Sequence, residues 1–227
     1  MSEAENPTFV RSSELILPVQ AEKKSTPLNY RLIYLTFFKR SMDLVLSVLF
    51  FITGMPFYFI FGLLIKLNSK GPVLFKQTRT GLENNSFILY KFRSMRFNAE
   101  ADTGPVWTEQ DDSRITKLGR FLRRFRLDEL PQLLNVIKGD MSLVGPRPER
   151  PFFVEKLMHE FPFYTHRLKV RPGITGWAQI KHPYDEQFED VREKLRYDFY
   201  YIENVDFWMD LKIIFKTFRV MLSGNGR

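Results

Sequence analysis

Residues 44–65 form an apolar run that contains no charged side chain and has Pro56 near its middle. A helix of roughly 20 apolar residues is long enough to cross a bilayer, so the run predicts a membrane helix. Basic residues lie on both sides of it: Lys39, Arg40, Lys66 and Lys70. Positive charge marks the cytoplasmic end of a membrane helix, and a single span cannot satisfy that rule at both ends.

A helix that enters the membrane, bends and leaves through the same face does satisfy the rule. Pro56 supplies the bend, because proline lacks a backbone donor and clashes with the preceding helical turn. We therefore predict a re-entrant membrane helix hairpin within residues 29–70, with a spanning helix as the alternative. A buried helix in a soluble protein is the weaker interpretation, since a helix that is apolar on all sides needs a larger protein around it.

The composition indicates anionic partners. The chain has 34 Lys and Arg against 26 Asp and Glu, a net charge of +8, and 23 Phe. Basic and aromatic residues in excess suit a membrane interface, so we expect contact with membrane phospholipids. Nucleic acid is not expected as a partner, because the apolar run would then have no use. Cysteine is absent, which excludes a disulfide framework and a thiolate metal site.

The rest of the chain predicts an α+β, mostly helical fold. Residues 1–28 are polar and predict a poorly ordered tail without a cleavable signal peptide, and residues 71–227 predict a cytosolic catalytic domain. Within that domain, residues 73–79 and 86–92 predict a small β-hairpin. Helices are predicted at residues 114–125, 130–137, 152–163, 185–201 and 205–222. The first of these is basic and amphipathic, with Asp112 or Ser113 as its cap; it lies either at the membrane interface or against the core.

Asp128 and Glu129 lie side by side within a strongly basic stretch, just before the helix predicted to begin at Leu130. The start of a helix offers amide donors and positive potential, which bind phosphate and keep a carboxylate ionised and nucleophilic. One acid can attack phosphorus, and the other can hold a metal ion or steer a proton. The alternative is structural: both acids stabilise the helix start and pair with Arg123, Arg124 or Arg126.

Three further features are candidates for the same chemistry. Pro146 and Pro148 fix the backbone on either side of Arg147, so its guanidinium is either a phosphate clamp or an exposed side chain on a rigid turn. Residues 171–179 contain Gly173 and Gly176, which allow the backbone to approach a ligand or simply to turn. The last candidates are two acids with aromatic and basic neighbours, which form structural ion pairs or complete a hard-cation site: Asp198 and Asp210.

Five motifs in order resemble the bacterial sugar transferase family, the monotopic phosphoglycosyl transferases, in their minimal form. The matching residues are Lys91-Phe-Arg93-Ser-Met95, Thr116-Lys-Leu-Gly-Arg-Phe-Leu-Arg-Arg124, Leu127-Asp-Glu-Leu-Pro-Gln-Leu133, Gly139-Asp-Met-Ser-Leu-Val-Gly-Pro-Arg-Pro148 and Pro172-Gly-Ile-Thr-Gly-Trp177. Many members of the family have Thr-Ser where this chain has Phe125-Arg126, which leaves the local helix cap open.

The resemblance implies a re-entrant helix broken at a proline, a catalytic domain on the cytoplasmic side of the bacterial inner membrane, and Mg²⁺ as cofactor. It also implies a two-step transfer of a phosphosugar. An aspartate attacks the β-phosphate of a nucleotide-sugar donor, usually UDP-linked, and UMP leaves. Polyprenyl phosphate then takes the phosphosugar, which gives a polyprenyl-diphosphate-linked sugar for exopolysaccharide, O-antigen or glycoconjugate synthesis.

The resemblance assigns roles by position. Asp128 is the nucleophile, Glu129 is its acid–base or metal-linked partner, and both carboxylates are metal ligands. The remaining implied roles are phosphate binding by Lys91, Arg93, Arg123 and Arg147, and support by Asp198 and Asp210. A homo-oligomer is left open. The alternative from another class is a non-enzymatic, basic membrane-binding scaffold, which Mg²⁺-dependent UMP release distinguishes from the enzyme.

Overall fold

A computed structural model of the chain describes residues 33–97, 99, 104, 112–181 and 188–224. The tail predicted at residues 1–28 lies outside the described residues, as does the start of the helix predicted at 185–201. The fold is mostly helical, with two small two-stranded sheets among the described residues. This confirms the predicted α+β, mostly helical class.

The apolar run forms one long helix, α1 (Lys39–Asn68), which continues from a π-helical turn at Tyr34–Phe38. Pro56 lies inside α1, and the helix continues through it. A proline removes one backbone hydrogen bond, and that loss does not end the helix here. The structure therefore shows a long apolar helix and does not show the predicted hairpin. By length and composition α1 is able to cross a membrane, and only 6% of its most apolar stretch is buried.

The predicted β-hairpin is confirmed. Strands β1 (Leu74–Thr80) and β2 (Ser86–Phe92) pair antiparallel, with Leu74 opposite Phe92 and Thr80 opposite Ser86. The connection contains a short 3-10 turn, Leu82–Asn84, in which Glu83 and Asn84 have positive φ.

Helix α2 (Lys117–Arg124) begins three residues later than predicted, and its cap is neither Asp112 nor Ser113. The Thr116 hydroxyl accepts a hydrogen bond from the Gly119 amide at 2.9 Å. Asp112 instead forms an ion pair with Arg114. A side chain on Gly119 would collide with the backbone of Ser94, so this glycine lets α2 lie directly on the chain that follows β2.

The remaining elements surround the core. They are α3 (Leu133–Lys138), β3 (Ser142–Val144), α4 (Pro151–Glu160), β4 (Gly173–Thr175), α5 (Trp177–Lys181), α6 (Phe188–Asn204) and α7 (Phe207–Ser223). Strands β3 and β4 are parallel, with Ser142 opposite Gly173. This pair was not predicted, because three-residue strands carry no readable periodicity.

Helix α1 packs against the rest of the chain along both of its halves. Its first half contributes Leu46 and Phe50 to the main core cluster, around Val136, Val144 and Ile213. Its second half contributes Ile65 to a smaller cluster with Phe92 and Leu122. Both halves therefore contact one and the same body.

A buried polar network fixes the start of α1. Asp210 of α7 is completely buried and accepts hydrogen bonds from the Tyr34 hydroxyl at 2.6 Å and the Lys39 ammonium at 2.5 Å. The Tyr201 hydroxyl of α6 lies 2.7 Å from the other oxygen of Asp210. Near this network, the Asp43 carboxylate accepts a hydrogen bond from the Leu143 amide at 3.0 Å. Two helices and the first turn of α1 thus share one carboxylate.

We expect Asp210→Asn to destabilise the chain by about 3 kcal/mol or more, because removing one partner of a buried ion pair leaves the Lys39 charge uncompensated. Thermal and denaturant unfolding in detergent micelles measures the change. Glu155→Gln, at an exposed position of α4, is the control and should stay within roughly 0.5 kcal/mol of the parent chain. Equal stability of the two variants would contradict the role of the network.

Candidate active site

Asp128 and Glu129 lie in a six-residue 3-10 helix, Leu127–Gln132, which is followed by α3. The predicted helix at 130–137 therefore starts earlier and in a tighter form. Arg126 precedes it with φ of 54°, a left-handed conformation that costs a non-glycine residue about 1–2 kcal/mol. No side chain caps this helix start. The tight turn places both acids in buried positions, 7% and 8% exposed.

Two cations hold the carboxylate of Glu129. The Lys91 ammonium lies 3.3 Å from Glu129 Oε1, and Arg147 Nη2 lies 3.0 Å from the same oxygen. Lys91 comes from strand β2, and Arg147 comes from the loop after β3. Glu129 thus joins three separate parts of the chain and has a fixed orientation.

Asp128 has a different environment. Its carboxyl is buried, and among the described residues no hydrogen bond reaches it. Burial raises the pKa of Asp128 above its ordinary value, Lys91 lowers it, and Glu129 raises it again. The expectation that the helix start keeps this acid ionised is therefore not supported by the direction of the pKa shift. Six residues of 3-10 helix have a small dipole, whereas removal of a carboxylate from water is costly.

The positive potential at Asp128 comes from side chains. Lys91, Arg123 and Arg147 each lower the pKa of Asp128 and so oppose the effect of burial. Arg123 is held by Ser94, whose hydroxyl accepts a hydrogen bond from Arg123 Nε at 2.8 Å. These three cations are the side chains available to a phosphate beside Asp128.

The loop that carries Arg147 is held at four successive carbonyl oxygens. That of Pro146 accepts from the Gly173 amide at 2.9 Å, and that of Arg147 accepts from Arg167 at 2.9 Å. Those of Pro148 and Glu149 accept from the Arg79 guanidinium at 3.0 Å and the Thr80 amide at 2.9 Å. Because the prolines also fix φ, the backbone of Arg147 has little freedom.

Asp198 reaches this loop through Arg167. Arg167 Nε donates to the Asp198 carboxylate at 3.0 Å, and another nitrogen of the same guanidinium donates to Tyr164 at 2.6 Å. The third nitrogen holds the Arg147 carbonyl. All three side chains are buried. Asp198 therefore helps to position the loop that carries Arg147.

Residues 34–224 match the sequence model of the bacterial sugar transferase family. The chain belongs to this family. It is similar to a UDP-N-acetylgalactosamine-undecaprenyl-phosphate N-acetylgalactosaminephosphotransferase of Aeromonas hydrophila, with 48% identity over 84% of this chain and 45% of the relative. It is also similar to the UDP-glucose:undecaprenyl-phosphate glucose-1-phosphate transferase of Escherichia coli K12, with 42% identity over 79% of this chain and 39% of the relative.

The chain thus spans less than half the length of these two relatives. A shorter relative is the exopolysaccharide production protein PSS of Rhizobium leguminosarum bv. phaseoli. It is 43% identical over 79% of this chain and 92% of its own length.

The structure brings most of the residues expected from the family to one place. Lys91, Arg123 and Arg147 lie near the acid pair, and Asp198 is linked to it through Arg167 and then Arg147. Two other expected residues lie elsewhere. Arg93 donates to the backbone and hydroxyl oxygens of Ser69, at the end of α1, and Asp210 belongs to the network at the start of α1. Both residues anchor the apolar helix.

Gly173 and Gly176 allow a close backbone approach, but the partner is protein. A side chain at either position would collide with the backbone of Gly145. The predicted approach to a ligand is therefore an approach of β4 to the end of β3. It draws residues 145 and 146 against β4 and so helps to hold the Arg147 loop.

Four residues of the site were not predicted from the sequence. Tyr58 of α1 donates to the Leu130 carbonyl at 2.8 Å, and Arg40 donates to the carbonyls of Val136 and Ile137 at the end of α3. Arg167 has been described above. The fourth residue, Gln132, is 2% exposed and its amide nitrogen has no hydrogen-bond partner among the described residues. The sequence around these side chains gives no pattern that indicates their roles. Only Gln132 lies within one of the family motifs.

Proposed function

We propose that the chain transfers a phosphosugar from a UDP-sugar to polyprenyl phosphate at the cytoplasmic face of the bacterial inner membrane. The observation that carries this proposal is the position of Asp128. It is buried, no hydrogen bond from the described residues reaches it, and three cations lie around it. It is also two residues from Leu130, which is bonded to the apolar helix. The relatives' names contain the same pair of reactants, a UDP-sugar and undecaprenyl phosphate.

In the first step an oxygen of ionised Asp128 attacks the β-phosphorus of the donor. A bond forms between this oxygen and phosphorus, and the bond from phosphorus to the bridging oxygen breaks, so UMP leaves with the electron pair. In the second step an oxygen of polyprenyl phosphate attacks the same phosphorus and releases the Asp128 carboxylate. The product is a polyprenyl-diphosphate-linked sugar. Lys91, Arg123 and Arg147 stabilise the charge on the transferred phosphoryl group.

Glu129 serves this chemistry by fixing two of the cations. Its carboxylate is held between Lys91 and Arg147, so it keeps both side chains on the same side of the acid pair. Gln132 follows Glu129 by one turn of 3-10 helix, and residues three apart share a face in that geometry. Its amide nitrogen is buried and has no hydrogen-bond partner among the described residues.

Mg²⁺ is the proposed cofactor, with Asp128 and Glu129 as its protein ligands. No group of three or more Asp, Glu or His side chains gathers as a metal site in the part of the chain that the structure describes. Mg²⁺ commonly takes only one or two carboxylates and completes its shell with water and substrate phosphates, and the acid pair fits this open type of site. When bound, Mg²⁺ supplies positive charge that offsets the phosphate charge.

The contacts of α1 support a monotopic arrangement, in which both ends of the helix lie on the same side of the membrane. Lys39 and Ile65 are separated by about 39 Å along a straight helix, which exceeds the roughly 30 Å thickness of the hydrocarbon core. Both residues are buried against the same body. A body with irregular backbone does not extend through a bilayer, so both ends of α1 belong on one side of the membrane.

We expect Asp128→Asn to lower the rate of UMP release by roughly three orders of magnitude or more, because the nucleophile is lost. The test uses a panel of UDP-sugars, since the relatives' names specify different sugars. Intact mass spectrometry of the parent chain should show a phosphosugar adduct that the variant lacks. Asp140→Asn, a half-buried acid bonded to Asn135, is the matched control. Normal turnover by Asp128→Asn would refute the mechanism.

The pH profile of kcat/KM reports the pKa values of groups in the free enzyme, and it should have an acidic limb and a basic limb. Activity rises with pH as Asp128 ionises, above the ordinary range of an aspartate because burial raises its pKa. Burial lowers the pKa of Lys91 to about 8, so activity falls above that pH as the ammonium loses its proton. Lys91→Arg keeps its charge and should move the basic limb upward. An unmoved limb in this variant would assign it to another group.

Single cysteines test the placement of α1, because the chain contains none of its own. Ser41→Cys and Lys70→Cys lie at exposed positions at opposite ends of the helix. An impermeant maleimide should label both in inside-out membrane vesicles and neither in right-side-out vesicles, as for a Glu155→Cys control on the body. Labelling of the two ends from opposite sides would show a spanning helix.

A further inference from the structure

Three lysine side chains surround the ring of Trp177. The Lys181 and Lys216 ammonium groups each lie 5.2 Å from the ring centroid, and that of Lys212 lies 5.5 Å from it. Trp177 and Lys181 are one turn apart on α5, and Lys212 and Lys216 are one turn apart on α7. The two helices therefore face each other across one aromatic ring. None of these residues takes part in the chemistry proposed for the acid pair.

The charge of this cluster is uncompensated within the described residues. In the part of the chain that the structure describes, none of these three ammonium groups forms an ion pair, and each lies against the Trp177 ring. Burial lowers the pKa of Lys216, and Lys181, Lys212 and Arg219 lower it further. Like charges at this spacing repel one another. An anion that bridged the ammonium groups would therefore stabilise the cluster.

Helix α7 carries an apolar stripe next to the lysines. At about 100° per residue, the directions of Trp208, Leu211, Phe215 and Leu222 fall within about 60° of one another. Those of Lys212, Lys216 and Arg219 fall within a neighbouring sector of about 60°. Three of these four apolar side chains are well exposed, with Trp208 at 69%, Phe215 at 66% and Leu222 at 83%.

The stripe lies on the side of the body where α1 lies. Phe218 of α7 packs edge-on against Phe50 of α1, with ring centroids 6.0 Å apart, and Trp177 packs against the same core cluster as Phe50. Exposed apolar side chains with lysines at their border are the pattern of a helix that lies in a membrane interface. A soluble phosphate would use the lysines but leave the apolar stripe without a partner.

We propose that Trp177, Lys181, Lys212 and Lys216 form a binding site for the phosphate of an anionic phospholipid headgroup, whose acyl chains cover the apolar stripe of α7. The ammonium groups contact the phosphate, and the Trp177 ring fills the space between them at the headgroup level. This inference rests on the membrane location given under the proposed function. It adds a lipid selectivity that the transfer reaction does not require.

The test measures contact between Trp177 and a chosen lipid. Trp107→Phe and Trp208→Phe leave Trp177 as the sole tryptophan of the three in the chain. The full chain is reconstituted in phosphatidylcholine vesicles that contain either brominated phosphatidylglycerol or brominated phosphatidylcholine at the same mole fraction. Bromine quenches tryptophan fluorescence on contact, and we expect stronger quenching by the phosphatidylglycerol. In Lys212→Gln/Lys216→Gln, the preference should fall by roughly fivefold for each lysine removed.

Two controls decide the source of the effect. Lys76→Gln/Lys138→Gln removes two lysines that flank the Tyr90 ring and should keep the preference, as should Lys212→Arg/Lys216→Arg. Equal quenching by both lipids, or an equal loss in the Lys76/Lys138 variant, would overturn the proposal. Inorganic phosphate that abolishes the preference, where chloride of the same ionic strength does not, would assign the site to a soluble anion and also overturn it.

The result is separable from the proposed reaction. Lys212→Gln/Lys216→Gln lies outside the acid pair and its cations, so in detergent micelles it should release UMP at the rate of the parent chain. Absence of UMP release from the parent chain would defeat the proposed function while leaving the lipid preference to be judged by fluorescence. A lipid preference that is absent in an active enzyme would defeat this inference alone.

Discussion

The hydrogen bond from Tyr58 to the Leu130 carbonyl sets the distance between the apolar helix and the acid pair. At the other end of the same segment, Arg40 holds the carbonyls of Val136 and Ile137. Residues 130–137, which directly follow Asp128 and Glu129, are thus held to α1 at both ends. In the proposed reaction the acceptor phosphate is carried by a lipid and cannot leave the membrane surface, so the distance between Asp128 and the apolar helix would decide whether the second step is possible. A shift of 1 Å at such a site is costly.

The charges around the acid pair fit the diphosphate of the proposed donor. Lys91, Arg123 and Arg147 give three positive charges against the two carboxylates, a surplus of one. Burial makes each of these charges expensive, and it raises the pKa of Asp128 and lowers that of Lys91. A bound donor adds the negative charge that the three cations are placed to meet. In the proposed reaction, these buried cations would stabilise the charge on the transferred phosphoryl group.

The sequence predicted the features that depend on local pattern. The β-hairpin, the acid pair and Arg147 between two prolines were visible in short stretches, and the order of the motifs identified the family. Features that depend on distant partners were not visible. Asp210 was expected near the site, but Tyr34, Lys39 and Tyr201 surround it. Arg167 was missed, since its importance comes from Asp198 and the Arg147 carbonyl, which no spacing reveals.

The start of α1 shows why the basic residues that flank the apolar run do not by themselves predict how the helix is placed. Lys39 was counted as a flanking charge that faces the cytoplasm, yet it is 9% exposed and paired with Asp210. Lys39, Asp43 and Ser47 follow one another at intervals of four residues and are all buried, so they form a polar stripe that faces the body. In the folded chain, bonds along this stripe hold the first turns of α1 against the body. Exposed apolar side chains occur within the same turns, at Leu44 and Val45, so one face of this part of α1 binds the body while another face presents apolar surface.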